Sequence, residues 1–220
     1  MSLAVLFRDS AVAVVDKPAG LPVEADSRES VVALAASLLA PAQGGRAFPR
    51  VVHRLDRDTS GCLALALTDA AARAFAQAFE DGAVEKEYLV LVAGEPPDEG
   101  ACDTAYGKDP RDARRWTTRL ETPRRARLKY FVLQRLRGAA LLRVALDTGR
   151  THQIRVQLSE AGYPVIGDAT YGVPGAPRQL VHAAKLSFPH GAGRVEAVSP
   201  LPPDFGAAIA ARTELPSAGG

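Results

Sequence analysis

Short apolar runs joined by tight polar turns constrain this chain more than any other feature. Leu3 to Phe7 and Ala11 to Val15 are β-rich and separated only by Arg8-Asp9-Ser10, which predicts a hairpin. Leu128 to Leu136 and Ala139 to Asp147 repeat the pattern around Arg137-Gly138. Val51 to Leu55 and Cys62 to Leu67 read as strands flanking a polar loop, and a further strand falls around Leu180 to Phe188. Tyr88 to Val92 is apolar on both faces, as a central strand would be. Helical patterns are fewer. One runs from Val31 to Leu39 behind a capping pair, Asp26 with Glu29. A second spans Asp69 to Glu80, with Ala72, Phe75, Ala76 and Phe79 as its stripe and Gly82 as its stop. A third is capped by Thr151, reaches Ala161 and stops at Gly162. Residues 41–49 are a Gly/Pro-rich connection, and residues 94–125 are the least regular part. Strands that outnumber helices and often follow one another predict an α+β fold with a mainly antiparallel or mixed central sheet flanked by helices.

The 220 residues suffice for a sizeable core without disulfide or metal staples. One domain over residues 1–213 is expected, with residues 214–220 as a frayed tail. The two cysteines, Cys62 and Cys102, form no CxxC pair and suit no zinc site, so reduced thiols in a cytoplasmic protein are the plain reading. A net charge of +2 permits a nucleic-acid partner without demanding one. Apolar runs are too short for a membrane span, and no basic stretch precedes the first of them as in a signal peptide.

Three polar segments interrupt the apolar runs: Asp16 to Gly20, His53 to Gly61, and Asp147 to Arg155. Loops at strand ends, held by a rigid scaffold, are where sites are built. Asp56 is expected directly after a strand, at a cleft wall with little water, where a carboxylate needs a neighbouring cation to stay ionised. Arg155 lies three residues after His152 on one face of the third helix, away from Ile154, Leu158 and Ala161. From position alone, Asp56 is equally readable as a turn former, Arg155 as a solvated residue and Tyr88 as core.

The segment His53-Arg54-Leu55-Asp56-Arg57-Asp58-Thr59-Ser60-Gly61 resembles the HRLDxxTSG signature of the RluA-type RNA pseudouridine synthases. Asp16 to Val23 is similar to that family's first motif, and Glu85-Lys86-Glu87-Tyr88 to its K-x-Y segment. Thr148 to Arg155 matches TGRxHQIR, and Gly162 to Asp168 and Leu180 to Ala183 continue the similarity. Order and spacing agree over roughly residues 10–190.

The resemblance implies the pseudouridine synthase catalytic fold with a central RNA-binding cleft, in a compact member without an S4 domain. It implies an isomerase that converts uridine in a tRNA or rRNA stem-loop to pseudouridine, with no cofactor and no metal, acting as a monomer on RNA and not on membranes. Asp56 would be the essential carboxylate and Arg155 its basic partner. Tyr88 would stack on the target base, Arg54 would occupy the place the base vacates with His53 beside it, and Leu180 would line the uracil pocket. Eight basic residues between Arg111 and Lys129 surround Trp116. Among them Arg114, Arg115, Arg124 and Arg125, together with Arg150, are candidates for the RNA backbone. A solvated face reads as well.

Two rivals remain. A non-catalytic RNA-binding or RNA-chaperone protein on the same fold would need none of Asp56, Tyr88 and Arg155, all of which are present. A hydrolase would need a base near Asp56, but strand periodicity puts His53 on the opposite face, and no GxSxG elbow occurs.

Overall fold

The structure, a computed structural model, describes residues 3–25, 29–39 and 49–213. In chain order its elements begin β1 (Ala4–Arg8), β2 (Val12–Lys17), α1 (Val31–Leu38), β3 (Arg50–Val51), β4 (Ser60–Ala66) and α2 (Asp69–Glu80). Next come β5 (Glu85–Ala93), β6 (Glu99–Ala105), β7 (Gly107–Lys108), β8 (Trp116–Thr117), β9 (Arg125–Leu136) and β10 (Ala139–Leu146). The last are α3 (Gln153–Glu160), β11 (Val181–His190), β12 (Gly193–Val198) and α4 (Pro203–Thr213). The chain divides into two compact units. The first comprises the chain through Lys86 together with Ala183–Pro200, and the second Glu87–His182 together with the chain from Leu201.

In the first unit the strand order is β1-β2-β4-β11, with β3 beside β4 and β12 beside β11. The first hairpin closes because the Asp9 carboxylate accepts the N–H groups of Ala11 and Val12, both at 2.8 Å, the turn chemistry that suits Asp at this position. Helix α2 matches its predicted bounds. Thr68 caps it by accepting the Ala71 N–H, and Gly82 at φ +67° ends it. Of its expected stripe, Phe75 is buried and Ala72 and Phe79 pack against the same core, while Ala76 is exposed and Ala71 is buried instead. Phe75 packs 4.6 Å from Phe188 within the core that β2, β4 and β11 share.

Helix α1 is capped by Ser30, whose hydroxyl accepts the Ala33 N–H. The Asp26 expected to cap it lies outside the described residues, as do the tail 214–220 and most of the 41–49 connection. The strand expected over Val51 to Leu55 is only the two residues of β3. Asp56 therefore sits in a loop between β3 and β4 and does not follow a strand directly.

The second unit carries the antiparallel order β5-β10-β9-β6. Val90, Leu91 and Val92 have no exposed surface, as a central strand requires. The β9–β10 hairpin turns at Arg137-Gly138, with Gly138 at φ +63°. Strand β6, in a stretch that reads as irregular, is an edge strand of small and acidic residues with little apolar signal. Helix α4 anchors through Phe205, fully buried with Leu91, Ile166 and Leu180. Its first-turn Asp204 accepts a bidentate pair from Arg178 at 2.6 and 3.1 Å. Helix α3 departs most from expectation. His152, not Thr151, holds the N-cap position, at φ +58° and without a side-chain cap. Gln153 through Leu158 are all buried, so the helix is enclosed rather than amphipathic.

Gly61 shows why the His53–Gly61 segment ends in glycine. Its φ is +111°, and a Cβ there would lie 2.2 Å from the Ala183 carbonyl oxygen. Gly20 also has positive φ, +83°, but open space around the same position. Gly20→Ala should therefore cost only the backbone term, about 1 kcal/mol. Gly61→Ala adds a backbone collision and should cost more than about 4 kcal/mol or prevent folding. Urea denaturation of the two variants checks this; equal losses would contradict it.

Candidate functional site

The loop from Val52 to Thr59 is anchored by Leu55, which is buried, while Arg54 is exposed and Asp56 half-buried. The Thr59 N–H donates to the Asp56 carbonyl at 3.1 Å, closing a turn over Arg57 and Asp58. A buried cation holds this turn to the first polar segment. Lys17 has no exposed surface, and its ammonium donates to the carbonyls of Pro18, Leu21 and Arg57 at 2.9, 2.7 and 2.7 Å. The Gly20 N–H also donates to the Arg57 carbonyl, and Arg57 Nε returns a bond to the Gly20 carbonyl at 2.9 Å. A buried charge is tolerated only when its donors are satisfied. Lys17 thus makes the Asp16–Gly20 and Asp56–Thr59 loops one structure.

His53 is committed to this scaffold. Its Nε2 accepts the Ala64 N–H at 2.9 Å and its ring lies 5.8 Å from Phe79. Burial, then the nearby Lys86 charge, pushes its pKa down to about 4, so the ring is neutral at pH 7. This bond ties the His53 ring to β4. Cys62 is no rival nucleophile, because burial and then the Asp16 charge push its thiol up to about 12.

In the second unit Arg155 lies on α3 with its side chain nearly enclosed. Its Nε donates to Asp168 Oδ2 at 2.7 Å and its Nη2 to Oδ1 at 2.8 Å, a bidentate pair with a carboxylate that has no exposed surface. Asp168 Oδ1 also accepts the N–H groups of Thr170 and Tyr171. Burial alone would raise the Asp168 pKa, but the Arg155 bond and charge, with those two N–H groups, outweigh it and lower it. The Arg155 guanidinium lies 5.2 Å from the centre of the Tyr171 ring.

Tyr88 is buried in β5 opposite Val144. Leu180, expected on a uracil pocket, has no exposed surface. It packs with Leu91, Ala139, Ile166 and Phe205, and its backbone bonds to Leu91 and Ile166 on either side make it a core residue.

The basic stretch is built around aromatic rings. Trp116 stacks on Tyr106 at 5.8 Å, and the Tyr106 hydroxyl donates to the Thr151 carbonyl. Lys108 and Arg124 lie 5.6 Å from the Trp116 ring, and Arg115 lies 4.9 Å from that of Tyr171. Other candidate cations are partly engaged. Arg114 pairs with Asp112, Arg125 with Asp103, and Arg150 Nε donates to the Arg125 carbonyl.

Asp56, Arg54 and His53 thus belong to the first unit, and Tyr88, Arg155, Leu180 and the basic stretch to the second. Lys17, Asp168 and Tyr171 emerge only from the structure. Lys17 and Asp168 stand inside segments that carry the family resemblance, but an isolated Lys or Asp beside a glycine or proline shows no partner in sequence. Among the described residues, no group of three or more His, Cys, Asp or Glu is placed to hold a metal ion, and no helix is long and apolar enough to cross a membrane.

Comparison with known proteins defines the class. Residues 11–160 match the family of RNA pseudouridylate synthases. An uncharacterized RNA pseudouridine synthase of Chloroflexus aurantiacus is 42% identical over 86% of this chain and 63% of its own length. Ribosomal large subunit pseudouridine synthase D of Nitrosomonas europaea is 36% identical over 97% of this chain and 66% of its own length. An uncharacterized RNA pseudouridine synthase of Zymomonas mobilis is 35% identical over 91% of this chain and 94% of its own length. The chain thus spans less than two thirds of the first two relatives and nearly all of the third. Among solved structures, human RNA pseudouridylate synthase domain containing 1 is similar with a TM-score of 0.80 and 27% identity, over 94% of this chain and 87% of that one. With a matched stretch that includes Asp56, Tyr88 and Arg155, the chain belongs to the RNA pseudouridylate synthase family.

The His53 bond carries a pH signature. The unfolded imidazole takes up a proton near pH 6.5, while the folded one resists it down to about 4. The stability contributed by the neutral ring is complete above about pH 6.5 and is lost progressively as pH falls towards 4. Between pH 7 and pH 4.5 the wild type should lose up to about 3 kcal/mol more than His53→Asn, read from urea midpoints. Parallel losses would refute the assignment.

Proposed function

We propose that this chain is an RNA pseudouridine synthase that isomerises uridine in a structured RNA, with Asp56 as the essential carboxylate. The observation that carries this reading is the Asp56 loop itself. It stands in the stretch that matches the family, with its backbone tied down by Lys17 and Gly20 and Asp56 itself half-buried. Such anchoring is what a group acting at one atom of a substrate requires.

In the reaction the N1–C1′ bond of uridine breaks, the uracil turns, and a C5–C1′ bond forms. C5 gives up a proton and N1 gains one, so the change is an isomerisation that calls for no cofactor and no metal. Arg155 supplies the cation of the reaction. Tyr88 stacks on the uracil and takes part in the C5 proton transfer. An aromatic platform of this kind is worth roughly 1–3 kcal/mol per base. The target base must first leave its stack, and exposed Arg54 fills the vacated place with a planar guanidinium. Arg114, Arg115, Arg124, Arg125 and Arg150 lie along the RNA backbone. A ribosomal RNA stem-loop is favoured over tRNA by the name of the Nitrosomonas europaea relative. The enzyme works as a monomeric single catalytic domain in the cytoplasm.

The test is pseudouridine formation by purified protein on unmodified rRNA and tRNA transcripts, counted by nucleoside mass spectrometry. Wild type should form it. Asp56→Ala and Asp56→Asn should form none while keeping their melting temperature and RNA affinity, and Arg155→Ala should be slower by at least about a hundredfold. Turnover by Asp56→Ala would refute the mechanism. RNA binding without any product from wild type would make the chain a binding protein.

A further inference from the structure

Tyr171 touches more of the second unit's polar machinery than any role so far assigned to it explains. It is buried, and its ring lies 5.2 Å from the Arg155 guanidinium and 4.9 Å from that of Arg115. Its hydroxyl oxygen accepts the Trp116 N–H at 3.0 Å and lies 3.1 Å from His152 Nδ1. Its own N–H donates to Asp168 and its carbonyl accepts the Ser159 hydroxyl of α3. One residue, through its side chain and its backbone, therefore joins Arg155 and Asp168 to the basic stretch around β7 and β8.

The joint is built, and it is not a chance contact. His152, whose ring meets Tyr171 edge-on at 5.6 Å, holds a left-handed backbone at φ +58° that costs a non-glycine residue free energy. Gly172 follows Tyr171 because a Cβ there would lie 2.0 Å from the Val165 carbonyl oxygen, so the turn that presents the ring admits no side chain at that position. The Glu160 carboxylate, at the end of α3, accepts the Thr117 hydroxyl and the Thr118 N–H, tying β8 to the helix that carries Arg155.

We propose that Tyr171 is a positioning residue with two separable roles, holding the Arg115–Trp116 stretch that engages RNA and setting the placement of Arg155. The proposal rests on the reading of Arg155 and the basic stretch given above. The two parts of the side chain divide the work. The ring, through its contact with the Arg155 guanidinium, sets the cation that faces the chemistry. The hydroxyl, through Trp116 and His152, sets the stretch that meets RNA.

The division is tested with Tyr171→Phe and Tyr171→Leu on a mixture of unmodified rRNA and tRNA transcripts. Three quantities are read: the single-turnover rate constant, the RNA dissociation constant, and the fluorescence of Trp116, the chain's single tryptophan. Tyr171→Phe keeps the ring. Its rate constant should stay within about twofold of wild type, while its dissociation constant rises roughly fivefold and Trp116 becomes more open to acrylamide quenching. Tyr171→Leu should in addition slow the rate constant by at least about tenfold. Tyr171→Met, of similar bulk, replaces it if the leucine variant does not fold. A uniform change in rate and affinity across both variants, or no change in either, overturns the two-role assignment while leaving the proposed activity standing. A wild-type protein that makes no pseudouridine from the mixture overturns the activity, and the two-role assignment with it.

Discussion

The Arg155–Asp168 pair sits with its carboxylate wholly enclosed and its guanidinium nearly so, and much of the second unit's polar order follows from it. Two charges withdrawn from water cost several kcal/mol each unless geometry and additional bonds compensate. Here the compensation is complete on the acid's side. Asp168 takes Nε and Nη2 of Arg155 in a two-point fork and two backbone N–H groups besides. The result is less a gain in stability than a fixed direction for the guanidinium. Tyr171, whose N–H is one of the bonds to Asp168, lays its ring near the same guanidinium.

The first unit solves a similar problem with Lys17. Its ammonium orders loop backbone by donating to three carbonyls. One of the three belongs to Arg57, the residue after Asp56. Both units thus use a buried cation to hold a polar turn in one conformation. A loop that changes shape freely would lose the advantage of orientation, where displacement by about 1 Å can cost a hundredfold in rate.

Much of this was legible in the sequence. The two hairpins and α2 follow from local signals: a turn centred on Asp9 or Gly138, a Thr68 cap, a glycine stop. Asp56, Tyr88 and Arg155 could be singled out from the resemblance of their segments, because the residue types in those segments are specific. What stayed hidden lacked a local signature. Strand β6 half-buries small residues and exposes Glu99 and Asp103, so no apolar alternation marks it. Helix α3 reads as amphipathic in sequence, with Arg155 and His152 opposite Ile154, Leu158 and Ala161, yet its polar Arg155, Gln153 and Gln157 do not face solvent. All three are buried with partners supplied by distant chain: Asp168, Arg127 and Ala126. Leu180 illustrates the reverse error, since an apolar residue near a motif suits a pocket and a core equally until its neighbours are known.

The central claim is that Arg155 acts from a position that Asp168 fixes. Asp168→Asn isolates it. The asparagine keeps an oxygen for the Thr170 and Tyr171 N–H groups but turns an amide donor towards Arg155, so the turn survives while the fork is lost. Single-turnover pseudouridine formation by the folded variant should be at least about tenfold slower than wild type, with RNA affinity unchanged. A folded Asp168→Asn protein with the wild-type rate constant would contradict the account.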